Sequence, residues 1–270
     1  IYYAILFKYI ASMMNGVNSM NAAQINNEVQ ALKLNIYNEI HHRILLENTG
    51  IPVLKDEQLF FILLPFLQGK KYDDVMKASV SSVGIVHASL EEHEKIKEQS
   101  AEDKEQQLTV LSGDYYSGRY YEILAHTKNI SLIYHLSTGI VARCEQQIRL
   151  YESHILTVEE WIQYLTVIES ELIVQFYHSI QAKQFISIAK QALTIIRLTE
   201  VIELLKNGEQ SLLITRIHES STNILELHQQ LEAYKQNLRI LLRESSLKQE
   251  LIHWIEDIVW QKEGKVLEKL

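Results

Sequence analysis

The chain has 270 residues, of which 47% are hydrophobic, so it is long enough to bury a sizeable core and too apolar to be disordered. Two prolines and nine glycines are too few for the many turns of a β-sandwich or barrel, whereas the abundant Glu, Gln, Leu, Lys and Ala favour long helices. A net charge of −8 without any Lys/Arg block argues against nucleic acid as a partner. A single cysteine excludes an intramolecular disulfide and predicts a reducing, cytoplasmic location.

Residues 1–14 are apolar apart from Lys8 and Ser12. This stretch is too short to span a bilayer, and it has neither the basic start nor the cleavage site of a signal peptide. We expect a core-packing or frayed helix here; a natural start at Met20 and a helix that touches a membrane are the alternatives. The sequence thus divides into an N-terminal extension, residues 1–20, and a helical domain, residues 21–270.

Helical periodicity and capping residues predict a series of helices in the second part of the chain. Their approximate ranges are 21–46, 56–69, 72–98, 105–126, 131–151, 157–180, 182–206, 210–244 with a break near Ser220, and 246–262. Thr157 with Glu160 forms a capping-box pattern, and Ser246 with Gln249 is a second candidate. The fold class is therefore all-α, a single helical bundle domain with the apolar helix around residues 59–67 at its centre.

Residue patterns typical of catalytic and metal sites are weak in this chain. Glu39 with His42, and Glu250 with His253, have the Glu-x-x-His spacing of di-iron bundles, but such pairs arise by chance among 28 Glu and 11 His. There is no nucleophile elbow and no glycine-rich phosphate loop. Cys144 lies in mid-helix and is expected to be buried and inert. We predict no catalytic and no metal-binding residue.

The segment from Leu108 to Ala125, LTVLSGDYYSGRYYEILA, carries the most information. Gly113 and Gly118 lie inside an apolar helical pattern, where each glycine costs about 1 kcal/mol relative to alanine, so a packing reason is expected. Close approach of another helix or of a ligand would supply one. Asp114 lies among apolar residues and is expected to need a partner.

This segment resembles the helix of all-trans polyprenyl diphosphate synthases that reads V-L-A-G-D-[YFW]-L and ends in E-L-L-A. The matching residues are Val110, Leu111, Gly113, Asp114, Tyr115, Glu122, Leu124 and Ala125. The variant G-D-Y-Y-S-G-x-Y-Y is most similar to the small component of heptaprenyl or hexaprenyl diphosphate synthases. His87-Ala88-Ser89-Leu90, with His93 and Glu94, resembles the H-x-A-S-L-I-H-D-D region of the same family. The resemblance implies a degenerate isoprenoid-synthase-like fold.

The chain departs from the catalytic members where they bind metal and diphosphate. Those members carry two D-D-x-x-D motifs, whose carboxylates hold Mg²⁺ against a diphosphate. The one adjacent Asp pair, Asp73-Asp74, is followed by V-M-K and lies upstream of the first motif's place, where E-E-H-E-K stands instead at residues 91–95. Glu169-Ser170 replaces a Lys-Thr, and no second Asp-rich motif exists between residues 180 and 220. Both diphosphate sites are therefore predicted to be lost.

What the resemblance implies is a non-catalytic subunit. It would bind no cofactor itself and would pair with a catalytic large subunit that holds Mg²⁺ and elongates farnesyl diphosphate to a heptaprenyl chain for menaquinone. Its role would be assembly and control of product length, and it would approach a membrane only through the product. Two alternatives stay open: a helical interaction protein unrelated to prenyl transfer, and a divergent Mg²⁺-dependent terpenoid enzyme.

Two helical faces are candidates for the subunit interface or for the lining of a prenyl tunnel. The first is a stripe of mostly small side chains, Ala78, Ser82, Ile85 and Ser89. The second comprises Gly113, Asp114, Tyr115, Tyr116, Gly118, Tyr120 and Tyr121. Packing within the chain is the alternative explanation for both.

Overall fold

The computed structural model of the protein describes residues 21–96, 103–152, 155–220 and 222–267, with side chains to residue 260. Its helices are α1 (Ala22–Glu39), α2 (Arg43–Thr49), α3 (Asp56–Leu67), α4 (Asp74–Glu94), α5 (Lys104–His126), α6 (Ile130–Arg149), α7 (Val158–Ser179), α8 (Ile186–Lys206), α9 (Leu212–Glu219), α10 (Ile224–Glu244) and α11 (Gln249–Leu267). A 3₁₀ turn, Lys183–Phe185, precedes α8. These ranges contain no strand, which confirms the all-α prediction. The extension at residues 1–20 lies outside the described residues.

Local capping explains where the helices begin. The side chains of Asn21 and Thr157 each accept a hydrogen bond from the N3 backbone amide and complete capping boxes, the second of which the sequence predicted. The predicted helix 21–46 was wrong, because it divides between Ile40 and Arg43. There the Nδ1 of His42 accepts from the Leu45 amide at 3.3 Å and starts α2, a capping role that histidine rarely takes.

In the C-terminal third of the chain, the predicted helix break is confirmed and one predicted capping box is wrong. The break predicted near Ser220 separates α9 from α10, which begins at Ile224 after its N-cap Asn223. The capping box predicted at Ser246 is wrong, because α11 begins three residues later at Gln249. The Gln68 side chain instead donates to the Ser246 carbonyl at 2.8 Å, so this turn is fixed by α3.

Helix α3 forms the centre of the molecule, as its apolar sequence predicted. Ten of its twelve residues are buried, from Gln58 to Leu67. Pro65 has no amide proton, so the Phe61 carbonyl one turn earlier lacks its usual helical donor. The hydroxyl of Tyr177, on α7, donates to that carbonyl instead. A buried tyrosine thus satisfies the group that the proline leaves unpaired.

The remaining helices pack around α3 in a continuous apolar core that runs from Ile25 to Val259. Helices α4 and α5 form the most extensive helix pair and run antiparallel, since Ser89 contacts Ser117 whereas Ser79 contacts Asn129. Helices α7 and α8 pack on one another and on α3, and α10 and α11 cover α8. The C-terminal end of α4 therefore lies close to α3, α6 and α7.

Candidate functional site

The acidic end of α4 stands where the sequence resemblance places a metal-binding motif. Here Glu91 lies 3.1 Å from Arg143 Nη2 and 3.6 Å from Lys55 Nζ. Glu94 lies 2.5 Å from the same Arg143 nitrogen. Each of these two carboxylates is therefore bound by cations of the chain itself.

Glu92 points away from these partners, toward α5. Its carboxylate is buried, lies 2.5 Å from Lys95 Nζ and accepts from the Ser112 hydroxyl at 3.3 Å. A buried carboxylate without such partners would be strongly disfavoured. Glu92 thus fastens the end of α4 to α5, and its oxygens are already engaged.

Glu169, on α7, provides the second buried carboxylate of this region, after Glu92. Lys55 Nζ donates to it at 3.0 and 3.2 Å, and the Gln58 amide donates at 2.8 Å. Arg197 Nε on α8 lies 3.4 Å away. Burial alone would raise the pKa of Glu169, but the charges of Lys55 and Arg197 outweigh it and hold the pKa at about 2. Glu169 is therefore fully ionised at neutral pH.

Arg143, on α6, connects the carboxylates of Glu91 and Glu94 on α4 with the carboxylate of Glu169 on α7. It is only 1% exposed. Burial alone would lower its pKa, but Glu94 and Glu91 outweigh burial and raise it. Helices α4, α6, α7 and α8 and the residue before α3 thus converge on a partly buried ion-pair network. In this network three carboxylates (Glu91, Glu94, Glu169) face three cations (Lys55, Arg143, Arg197).

His87 lies one turn before Glu91 on the interior side of α4. It is 2% exposed, and neither ring nitrogen has a hydrogen-bond partner among the described residues. Burial, reinforced by the positive charge of Arg143, lowers the pKa of His87 to about 3. The imidazole is therefore neutral at neutral pH.

The electrostatics of the network determine what it can do. Mg²⁺ binds carboxylate oxygens that are free of other cations and keeps several water ligands. At this end of α4 the carboxylate oxygens face ammonium and guanidinium groups, which would repel a divalent cation. Within the ranges that the structure describes, no three His, Cys, Asp or Glu side chains are placed to hold a metal ion together. The network binds the helices to one another.

The predicted small-residue stripe on α4 faces the interior of the chain. Ser82, Ile85 and Ser89 are each at most 1% exposed, and Ala78 is half-buried. The Ser82 hydroxyl donates to the Ala78 carbonyl, and the Ser89 hydroxyl donates to the Gly113 carbonyl, both at 2.8 Å. These side chains thus contribute to the packing of α4 within the bundle.

The second predicted face, on α5, is divided between interior and surface. Tyr116 is fully buried, Tyr115 and Tyr120 are half-buried, and Tyr121 is 55% exposed. The ring of His93 covers Gly113, where a Cβ would lie 2.6 Å from its atoms. This close contact is the packing reason that the sequence predicted for Gly113.

Asp114 and Gly118 lie on the outside of α5. Asp114 is exposed although its neighbours in the sequence are largely apolar, and its carboxylate lies 3.6 Å from His93 Nε2. A Cβ on Gly118 would meet nothing within 4 Å. Packing among the described residues therefore gives no reason for a glycine at position 118.

Sequence reasoning missed the cations of the network and the outward face of α6. Arg143 occupies the apolar stripe formed by Leu132, Leu136 and Gly139, and a charge in such a stripe was a visible signal. Cys144, expected to be buried, is exposed. It lies on the opposite side of α6, among exposed apolar side chains: Ile130, Tyr134, Val141 and Ile148.

Comparison with solved structures identifies the class of protein. The fold matches a geranylgeranyl pyrophosphate synthase from Lactobacillus brevis with a TM-score of 0.65, over 88% of this chain and 95% of that one, at 11% identity. It also matches a decaprenyl diphosphate synthase from Rhodobacter capsulatus with a TM-score of 0.64, over 89% and 97% of the two chains, at 10% identity. The chain thus has the all-helical fold of isoprenoid synthases.

Sequence comparison then gives the family. The family described as heptaprenyl diphosphate synthase (HEPPP synthase) subunit 1 matches residues 42–246, well over half of the chain. The chain belongs to this family. A similar protein is heptaprenyl diphosphate synthase component 1 of Geobacillus stearothermophilus, 32% identical over 101 residues. That alignment covers 37% of this chain and 46% of the relative, just under half of its length.

Proposed function

We propose that this chain is the non-catalytic subunit of a heptaprenyl diphosphate synthase and that prenyl transfer requires a separate catalytic subunit. The main evidence for this proposal is the partly buried ion-pair network at the end of α4. There Lys55, Arg143 and Arg197 engage the carboxylates that would otherwise be available to a metal ion. A site that binds Mg²⁺ and diphosphate needs those oxygens free. The family and the fold support the same assignment.

The partner in this proposal supplies the catalytic machinery. It is a larger subunit that carries both Asp-rich motifs, holds Mg²⁺ and elongates farnesyl diphosphate toward the menaquinone side chain. The present chain stabilises the assembly and takes part in setting product length, because a growing hydrocarbon chain needs a dry space of limited depth. We place the complex in the cytoplasm, in agreement with the single cysteine. Among the described helices, none is long and apolar enough to cross a membrane.

The outward face of α6 supports a partner-binding role. Ile130, Tyr134, Val141 and Ile148 follow one another at intervals of four, seven and seven residues, so they form one stripe along the helix. All four are more than half exposed, and they lie opposite the buried side of the helix. A contiguous exposed apolar surface is typical of a protein–protein contact. We therefore propose that the catalytic subunit covers this stripe.

Prenyl transfer measured with separated and mixed subunits tests the function. The assay contains farnesyl diphosphate, labelled isopentenyl diphosphate and Mg²⁺, with this chain alone, the catalytic subunit alone, or both. Product is expected only, or far faster, in the mixture. Turnover by this chain alone would contradict the non-catalytic role. No gain on mixing with a competent catalytic subunit would favour an interaction protein unrelated to prenyl transfer.

Alkylation of Cys144 tests the docking surface directly. This cysteine is the only one in the chain, is exposed, and lies within the α6 stripe between Val141 and Ile148. Its reaction with a maleimide should slow at least tenfold when the catalytic subunit is added. A matched variant, Cys144→Ser with Glu219→Cys, places the thiol on α9, and its rate should not change. Equal rates with and without the partner at Cys144 would rule out this face.

A further inference from the structure

A cleft of about 600 Å³ lies between α10 and α11, on the side of the molecule formed by the C-terminal helices. This volume is within the range of clefts that hold small molecules. Its walls combine the side chains of Leu242, Leu247, Ile252 and Trp260 with those of Arg239 and Arg243. The cleft is separate from the ion-pair network at the end of α4.

The two arginines in this cleft differ from the others in the chain. Six of the eight arginines have a carboxylate within ion-pair distance: Arg43, Arg119, Arg143, Arg149, Arg197 and Arg216. Among the described residues, Arg239 and Arg243 have none, and both line the same cleft. Because they are four residues apart on one helix, their side chains lie on the same face of α10. The two guanidinium groups therefore face the same cleft, and no described carboxylate lies within ion-pair distance of either.

Trp260 positions the first of these charges. The guanidinium carbon of Arg239 lies 5.2 Å from the centre of the Trp260 ring, a cation–π contact that holds the side chain at the cleft wall. Guanidinium groups recognise phosphate oxygens through paired hydrogen bonds. The exposed cleft therefore contains a prepared site for an oxyanion beside the indole ring.

The other lining residues restrict the class of ligand. Leu242 and Leu247 are buried and expose little surface, so the apolar floor of the cleft is formed mainly by Ile252 and Trp260, which are half-buried and can contact a hydrocarbon chain. Glu256 also lines the α11 wall, so the cleft holds one negative charge beside its two positive ones and accommodates a single oxyanion better than a run of acidic side chains. A single oxyanion attached to an apolar chain satisfies both conditions better than an acidic peptide does.

We propose that the cleft between α10 and α11 binds a phosphate ester that carries a hydrocarbon chain. The phosphate lies between Arg239 and Arg243, and the chain lies along Leu247, Ile252 and the Trp260 ring. A free amphiphile and the headgroup region of a membrane lipid share this chemistry. The site is independent of the partner-binding role, since it uses other helices and other residues.

Titration of the full-length chain with dodecyl phosphate, by calorimetry and tryptophan fluorescence, tests the site. Dodecyl phosphate should bind at least about tenfold more tightly than inorganic phosphate, since only the former contacts the apolar floor. Arg243→Gln should weaken binding at least about tenfold, because a charged hydrogen bond is lost. The matched control is Arg43→Gln on α2, which removes the same charge far from the cleft and should leave affinity within about twofold. Circular dichroism checks that both variants are folded.

Three outcomes would overturn the proposal. The first is equal affinity of the Arg243→Gln and Arg43→Gln variants, and the second is equal affinity for dodecyl phosphate and inorganic phosphate. The third is an acidic peptide that binds the cleft while dodecyl phosphate does not. Phosphatidylcholine vesicles with and without phosphatidic acid show whether the bound phosphate belongs to a membrane lipid or to a free amphiphile. Arg243-dependent sedimentation with the acidic vesicles identifies a lipid headgroup, and binding of dodecyl phosphate without sedimentation identifies a free amphiphile.

Discussion

At the residue scale, His87 should make the stability of the protein depend on pH. The unfolded chain takes up a proton at His87 near pH 6.5, whereas in the folded chain burial and Arg143 delay protonation to about pH 3. Between these values the unfolded state holds more protons, so acidification lowers the free energy of unfolding. His87→Leu should flatten the fall in this free energy between pH 6.5 and 4, measured by urea unfolding. A slope equal to that of the exposed-site control His41→Gln would contradict this prediction.

Glu169 is the residue on which the charge balance of the network depends most. Glu169→Gln removes the carboxylate that Lys55, Gln58 and Arg197 share, and the loss of charged hydrogen bonds at a largely buried site costs about 1–3 kcal/mol. The free energy of unfolding at pH 7 should fall by that order, whereas Glu145→Gln on the surface of α6 should change it little. The wild-type contribution is full above pH 4.5 and is lost as the pH falls toward 2, because folding lowers the pKa of Glu169. Comparable losses in both variants would show that the network does not stabilise the fold.

At the element scale, the pairing of α3 with α7 depends on one hydroxyl group. Tyr177→Phe removes the donor to the Phe61 carbonyl, which Pro65 leaves without a helical partner. An unsatisfied buried carbonyl costs about 1–3 kcal/mol, so thermal unfolding should shift downward accordingly. Tyr134→Phe, on the exposed side of α6, is the control and should leave the unfolding temperature unchanged. If the two variants melt alike, another donor reaches the carbonyl.

Substitutions at Gly118 can distinguish the contribution of α5 to stability from its predicted role in partner binding. No atom in the part of the chain that the structure describes lies within 4 Å of a Cβ at this position, so Gly118→Ala should stabilise the isolated chain by about 1 kcal/mol through helix propensity. Gly118→Leu fits the isolated chain as well, but it should weaken binding of the catalytic subunit if α5 approaches that subunit closely. Thermal melting and a titration with the partner measure the two effects. Equal partner affinity of the Ala and Leu variants would remove Gly118 from the predicted interface.

At the scale of the whole molecule, the exposed apolar stripe of α6 predicts that the partner stabilises the fold. A ligand that binds only the folded state raises stability by about 2.7 kcal/mol at 100 times its dissociation constant. Addition of the catalytic subunit should therefore raise the unfolding temperature of this chain in a concentration-dependent way. Val141→Asp replaces an exposed side chain, so it should leave the isolated chain stable and suppress the shift. A shift that survives this substitution would place the partner elsewhere.

Much of the helical framework could be predicted from the sequence, because its signals are local. The cap of Thr157 with Glu160, the break near Ser220 and the apolar run in α3 each depend on residues within a few positions of one another. The errors were also local: His42 caps a helix without being a usual capping residue. The family resemblance rested on the G-D-Y-Y block of α5, and the family was confirmed.

The candidate site could be predicted only in part. The sequence showed that a Glu-rich stretch replaces the family's aspartates, but it did not show which cations would meet Glu91 and Glu94. Lys55 and Glu169 are 114 positions apart, and no local pattern pairs them. The exposure of Cys144 was missed because α6 is apolar on two opposite sides, and its sequence does not say which side faces the core.

The sequence by itself determined the helical class, most helix boundaries, the central position of α3 and the membership of an isoprenoid-synthase family. These follow from periodicity, capping and a short motif, all of which act over one or two helical turns. Only the tertiary structure decided that the cations of α6 and α8 neutralise the carboxylates of α4 and α7. It also decided that no described residue covers one apolar side of α6 or pairs with two arginines of α10. Those outcomes depend on how whole helices pack, since burial and charge pairing are set by neighbours distant in the chain.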